Sequence, residues 1–361
     1  MKIKKLTIKN FRNIEKIELV PDNTTNIFLG ENAEGKTSLL EAMWLFSGAK
    51  SFRAARDCET VMFGKEKAVL TCDFLSGGTE KTAEIEIADR RRAKLFGKNL
   101  QRPSLLSEYF HAVVFSPQDL SIIDGDPAYR RRFLDLAIGS LSAKYIDALK
   151  KYNRAIIQRN NLLKKARTEN DAIFLLEPFE EEAAASGETI INLRYRYVDK
   201  LNIEAPQIYS GISEEKEKLT VSYLSKSQRN ITKEELFEKF KAHRNADIAA
   251  GTTLIGPKRD DLFIEVNGKS TKLYGSQGQK RSAALCLKLA EAEILKQTSG
   301  EEPIALLDDV LSELDTSRQR YILNKFKDKQ VFITACDPAN TMDLKSGLIV
   351  KIKDGKICSY N

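Results

Sequence analysis

Gly30-Glu31-Asn32-Ala33-Glu34-Gly35-Lys36-Thr37 sets two glycines, a lysine and a threonine in the spacing of a phosphate-binding loop. Glycines let backbone N–H groups wrap an anion, Lys36 offers a compact positive charge to the outer phosphates, and the Thr37 hydroxyl suits Mg²⁺. Ser38 follows directly, where the N-terminal end of a helix would add its own partial positive charge. A second set lies far downstream. Asp308 and Asp309 follow the apolar run Ile304-Ala305-Leu306-Leu307. There, Asp308 would hold a Mg²⁺ shell and Asp309 would orient or deprotonate an attacking water. The third set is Ser276-Gln277-Gly278-Gln279, directly before a long stretch of helical periodicity. Ser276 and Gln279 have the spacing of a capping box. Gly278 weakens a helix and fits a backbone that a ligand must approach closely. A second phosphate would be such a ligand, and one phosphate loop supplies none nearby. The triphosphate is therefore expected to be shared between two copies of the chain.

These groups need elements to position them. Thr25-Asn26-Ile27-Phe28-Leu29 reads as a buried strand and 38–46 as a helix, so the loop has the strand–loop–helix context that phosphate binding requires. Residues 2–10 and 14–19 alternate as a strand–turn–strand pair, and 61–100 holds short alternating runs that predict an antiparallel meander. Ala112-Val113-Val114-Phe115 is a short buried strand. From 129 to about 167, and again from about 172 to 209 with an interruption at Pro178, apolar residues recur at helical spacing, which predicts two long antiparallel helices. A strand over 218–225, a helix over 232–250, a hairpin at Asn267-Gly268, a helix from 317, a strand over 331–333 and a hairpin at Asp354-Gly355 complete the reading. An apolar strand ending in Asp308 would bring its carboxylate to the sheet edge where ligands of open α/β sheets sit.

Composition narrows the chemistry. With only His111 and His243, histidine triads and His-rich metal sites are nearly excluded, and the five scattered cysteines lack metal-ligand spacing. Chemistry must rest on carboxylates, Lys and Mg²⁺. No run approaches the length of a membrane helix, and the N-terminus lacks a signal-peptide core, so a cytoplasmic protein with no membrane partner is expected. The net charge of +7 is modest, but Arg90-Arg91-Arg92 and Arg130-Arg131-Arg132 concentrate it. Such runs either neutralise a nucleic-acid backbone or form solvated faces, and charge alone leaves both readings open.

The phosphate loop, the Ser276–Gln279 turn, the paired acids and Ser312-Glu313-Leu314-Asp315 just beyond them together resemble ABC-type ATPase heads, in the branch of the SMC-type chromosome and repair ATPases. Asn10-Phe11-Arg12-Asn13 is similar to the same branch. Within it the chain resembles the RecF family of bacterial recombination and gap-repair proteins. The residues that carry this are Phe115-Ser116-Pro117-Gln118-Asp119-Leu120, Gly125-Asp126-Pro127 with Arg130-Arg131-Arg132-Phe133-Leu134-Asp135, Gly256-Pro257-Lys258-Arg259-Asp260-Asp261, and Leu307-Asp308-Asp309-Val310 onward to Asp315. They run in order along nearly the whole chain.

The resemblance implies an α/β fold: an ABC-type P-loop ATPase head with a flanking antiparallel β-sheet, discontinuous over 1–120 and 251–361, plus a mostly helical arm over 121–250. It implies ATP and Mg²⁺ as ligands, with Lys36, Gln118 and Asp309 in catalysis and Thr37, Asp308 and Gln118 around the metal. Ser276 and Gly278, with Gln277 and Gln279, would meet the γ-phosphate of the partner's ATP. Asp315 would face that partner, and Arg12 would contact nucleotide. The implied partners are single- and double-stranded DNA at gaps and junctions, RecR and RecO directly, RecA indirectly, and a second copy of the chain in an ATP-dependent homodimer. Two departures stand out. Ala335 and Cys336 occupy the place of the switch histidine of ABC heads, and the second acid is Asp309 where transporters carry Glu. The shorter carboxylate sits about one methylene further from the water, so slow hydrolysis is expected, with ATP acting as a dimerisation switch.

Overall fold

Alternation of apolar residues with lysines builds the first hairpin. Strands β1 (Lys2–Phe11) and β2 (Ile14–Leu19) pair antiparallel, with Leu6 opposite Leu19 and Ile8 opposite Ile17, all four buried. The turn between them is sharp, and Asn10 and Arg12 both take positive φ (54° and 56°). The computed structural model describes residues 1–54, 56–327, 329–336 and 347–360. Next come β3 (Thr25–Leu29), α1 (Lys36–Leu45), and the meander β4 (Ala68–Ser76), β5 (Thr79–Ile87), β6 (Arg91–Leu95) and β7 (Lys98–Asn99). Strand β8 (Ala112–Phe115) leads through a short 3₁₀ turn to the helices α2 (Ser121–Asp124), α3 (Pro127–Leu141), α4 (Ala143–Lys165) and α5 (Glu177–Ile212). After them follow β9 (Leu219–Leu224), α6 (Lys233–Ala242), α7 (Arg244–Ala250), β10 (Asp261–Val266), β11 (Lys269–Ser270), α8 (Thr271–Tyr274) and α9 (Gln277–Ser299). The chain closes with β12 (Ile304–Asp308), α10 (Thr316–Lys325), β13 (Val331–Ala335), β14 (Leu348–Lys353) and β15 (Lys356–Tyr360).

Two six-stranded sheets face each other. One is antiparallel, in the order β2-β1-β4-β5-β6-β7; the other runs β15-β14-β3-β13-β12-β8, parallel except for the closing hairpin partner β15. A side-chain period of two sorts the parallel strands into two cores. Ala112, Val114, Ile304, Leu306 and Phe332 pack with α1 and the antiparallel sheet. Val113, Phe115, Ala305, Leu307, Val331 and Ile333 pack with α9 and the long helices. Asp308 continues the even-numbered face, which carries its carboxylate toward α1.

The long helices differ from the sequence reading in two places. The stretch expected to run unbroken from 129 to 167 divides at Ser142, whose extended backbone (φ −151°, ψ 105°) and hydroxyl, accepting from the Tyr145 N–H at 3.2 Å, start a new helix. Pro178 does not interrupt its helix but sits in the first turn of α5, where a missing N–H costs nothing, while Pro206 lies inside that helix. A buried ion network ties α4, α5 and α7 together. Arg159, Glu180 and Asp247 are fully buried, and Arg159 reaches Glu180 at 3.0 Å and Asp247 at 2.7 Å. Loss of one partner from such a set costs about 3–5 kcal/mol, because a charge is left buried and uncompensated.

Candidate active site

The phosphate loop, the paired acids, Gln118 and Cys336 stand at the C-terminal edge of the parallel sheet. Strand β3 delivers the glycine loop, β13 delivers Cys336, β12 delivers Asp308 and Asp309, and β8 delivers Gln118. Gly35 caps α1 with φ 108°, a conformation that a side chain would strain. A Cβ on Gly30 would lie 2.4 Å from the Ile352 carbonyl oxygen, so that glycine is required by the close passage of β14. The loop is braced from outside: Asn13 Nδ2 donates to the Ala33 carbonyl at 2.9 Å, the Gly355 N–H donates to the Glu34 carbonyl at 2.9 Å, and the Glu34 carboxylate accepts from the Asp354 N–H. Both turns that touch the loop were legible as turns, but nothing in the sequence joined them to it.

Inside the loop Lys36 is turned onto the carbonyls of Gly30 and Glu31 (2.8 Å to the latter), with Cys336 Sγ at 3.4 Å. Cys336 also donates to Asn32 Oδ1 at 3.1 Å, so the residue in the switch-histidine position holds the loop directly. Thr37 Oγ1 donates to Asp308 Oδ1 at 2.7 Å, and Ser38 is buried behind it. Thr334 Oγ1 donates to the same Asp308 oxygen at 3.0 Å and accepts from the Asp309 N–H at 2.8 Å. Burial pushes the Asp308 carboxyl above its ordinary range, opposed by these two hydroxyls. Asp309 has φ 51°, a left-handed backbone rare for a residue with a side chain, and Ser312 Oγ donates to its carbonyl at 2.7 Å. Gln118 is exposed on the 3₁₀ turn after β8. Arg12 forms a bidentate pair with the fully buried Glu41 of α1 (3.0 and 2.8 Å), and Ser51 donates to Glu41 at 2.5 Å. Sequence reasoning missed Glu41, whose i+4 spacing from Thr37 on α1 was the available signal.

The Ser276–Gln279 turn lies apart from this group: among the described residues no hydrogen bond or ion pair links it to the phosphate loop. Its capping box is formed, with Ser276 Oγ accepting from the Gln279 N–H at 3.2 Å and Gln279 Oε1 accepting from the Ser276 N–H at 2.8 Å. Ser276 and Gln277 are exposed at the start of the 23-residue helix α9. Asp315 caps α10, accepting from the Arg318 N–H at 3.0 Å.

 The two arginine runs, 40 residues apart in the chain, come to one cleft. The cleft encloses about 1080 Å³. Arg90, Arg91, Arg131 and Arg132 line it together with Lys50, Arg56, Lys150, Lys258 and Arg259, against the acids Asp57, Asp89 and Asp135. Burial first, and then Arg91 and Lys50, push the Lys150 ammonium below its ordinary value against the pull of Asp147, and burial with Arg259 does the same to Lys258. The lining carries more cations than acids. Part of each run is used within the chain. Arg130 pairs with Asp261 at 2.7 Å, Arg131 donates to the Asp260 carbonyl, Arg132 donates to the Ser51 and Phe52 carbonyls, and Arg91 donates to the Ala49 carbonyl. Arg90 and Arg92 are exposed, and the buried Arg91 Nε, which has no hydrogen-bond partner among the described residues, faces the Asp57 carboxylate at 3.5 Å.

A family model described as an AAA ATPase domain matches residues 1–333. The DNA replication and repair protein RecF of Clostridium acetobutylicum is 37% identical over 367 residues, covering 100% of both chains. Its counterpart in Clostridium kluyveri is 38% identical over 366 residues, covering 99% of each. Among solved structures, the recombination mediator protein RecF with ATP, of the RecFOR pathway, aligns with a TM-score of 0.89 at 37% identity over 99% of this chain and 97% of that one. The Smc head domain of Pyrococcus furiosus aligns at 17% identity with a TM-score of 0.54, covering 100% of this chain and 96% of that one, a likeness of fold. Among the described residues no helix is long and apolar enough to cross a membrane. The fold is that of an ABC-type ATPase head with a flanking antiparallel sheet, and the chain belongs to the RecF family of DNA replication and repair proteins.

Proposed function

We propose that this chain is an ATP-gated DNA-binding dimer of recombinational repair that hydrolyses ATP slowly. The observation that carries the reading is the Thr37–Asp308 contact at 2.7 Å, which joins the phosphate loop to the paired acids, while Ser276 and Gln277 stay exposed at the start of α9. A glycine-wrapped loop, an inward lysine and a helix end suit a triphosphate. Thr37 and Asp308 offer hard oxygen donors that would hold Mg²⁺, with Gln118 as a further ligand, since Mg²⁺ is held by one or two carboxylates plus substrate rather than by a full protein cage. When bound, Mg²⁺ neutralises charge on the phosphate oxygens. Lys36 exchanges carbonyl partners for phosphate. Asp309, aimed by Thr334 and Ser312, orients the water.

The remaining roles follow from the same reading. Ser276 and Gly278, with Gln277 and Gln279, meet the γ-phosphate bound by the partner copy, and Asp315 faces that copy. Residues 1–120 and 251–361 act as the head, and 121–250 as an arm. The basic cleft between Arg90–Arg92 and Arg130–Arg132 takes the phosphate backbone of gapped or junction DNA, and RecR and RecO engage the dimer so that RecA is loaded. The test is DNA binding with and without ATP on gapped, single-stranded and blunt duplex DNA. ATP should raise affinity for gapped DNA above that for blunt duplex; equal affinity with and without ATP would overturn the reading.

A further inference from the structure

We propose that Arg318 and Glu217 are positioning residues that hold the Ser276–Gln279 turn in the shape that completes a partner's ATP site, an inference that rests on the shared-site reading above. Arg318 lies on the first turn of α10. Its Nε donates to Ser282 Oγ at 2.9 Å, its Nη2 donates to the Gly278 carbonyl at 3.3 Å, and its Nη1 pairs with the Asp315 carboxylate. One guanidinium thus touches the Gly278 backbone, the first turns of α9 and the capping acid of α10. A Cβ on Gly278 would stand 3.3 Å from Arg318 Nη2, so this glycine also leaves room for the guanidinium. Only a planar fork of donors can serve three acceptors in this way; a lysine ammonium at the end of a flexible stem cannot.

Glu217 grips the turn from the other side. One carboxylate oxygen accepts from Tyr209 Oη of α5 at 2.7 Å, and the other accepts from Gln279 Nε2 at 2.6 Å. Because Gln279 Oε1 accepts from the Ser276 N–H, an unbroken chain of hydrogen bonds runs from α5 through Glu217 and Gln279 to Ser276. Both ends of the Gln279 amide are then fixed, and the amide cannot flip. A glutamine at 217 turns its NH2 toward one of these two donors, so Tyr209 must reverse its hydroxyl to accept and both charge-assisted bonds of the carboxylate are lost. Among the described residues neither Arg318 nor Glu217 contacts the phosphate loop, so their loss should leave ATP binding by the single chain intact.

The test uses the full chain with Arg318→Met, Arg318→Lys and Glu217→Gln, and with Ser276→Arg as the control that blocks the turn itself. A fluorescent ATP analogue reports binding by one chain, thermal melting reports folding, and sedimentation with ATP reports the dimer. All three bracket variants should bind the analogue within about twofold of wild type and weaken the ATP-dependent dimer about tenfold, or about 1.4 kcal/mol. Wild-type dimerisation of the bracket variants while Ser276→Arg stays monomeric overturns the proposal and leaves the shared site standing. Dimerisation of Ser276→Arg as well overturns both. If Arg318→Met melts early, Glu217→Gln and Tyr209→Phe decide the matter, since each alters one link of the hydrogen-bond chain with little change of volume.

Discussion

At Asp309 the backbone is held in a left-handed conformation, φ 51°, that costs roughly 1–2 kcal/mol for a residue with a side chain. The Asp309 N–H on Thr334 and the Ser312 hydroxyl on its carbonyl offset that cost and fix the direction in which the short carboxylate points. If Asp309 orients the water, Asp309→Asn should slow single-turnover ATP hydrolysis by about 10²-fold or more and prolong the ATP-bound dimer. A dimer that falls apart faster than wild type would assign Asp309 another role. Much at this scale was legible. Loop glycines, Thr37 and Asp308 carry a spacing signature because the chemistry fixes their order. Arg318, Glu217 and Glu41 carry none, since a side chain that serves another side chain needs only to arrive beside it.

The elements were read well wherever one rule acted alone. Strand β3 appears where the apolar run predicts it, and the hairpin turns at Asn267-Gly268 and Asp354-Gly355 have the positive φ values their residue types favour. Periodicity misleads where tertiary contacts decide, as at Ser142, where it runs on through a break that a serine cap makes. Strand β8 carries a pH prediction. His111, at its entrance, is nearly buried, its Nδ1 has no hydrogen-bond partner among the described residues, and burial lowers its pKa below the ordinary value near 6.5. The neutral ring is the favoured form in the fold, so its contribution to stability is present above about pH 6.5 and is lost as the pH falls below it. His111→Gln should therefore lose less melting temperature than wild type between pH 7 and pH 5. Identical pH slopes would show that His111 stays solvated.

Over the whole molecule the sequence left the two arginine runs ambiguous, and the fold removes part of that ambiguity by bringing them to one cleft. Their distance along the chain hid this, and so did the internal bonds of Arg91 and Arg130. Exposed Arg90 lines the cleft with no such role among the described residues, and replacing it with Gln should make the slope of log DNA affinity against log salt shallower by up to about one, with melting unchanged. An unchanged slope would place the DNA elsewhere. The central claim, however, is that ATP bound by one chain is completed by the exposed turn of another. Sedimentation of wild type and Ser276→Arg, each with and without ATP, tests it most directly. Wild type should dimerise only with ATP, and Ser276→Arg should bind ATP yet remain monomeric; an ATP-dependent dimer of Ser276→Arg equal to wild type would contradict the account.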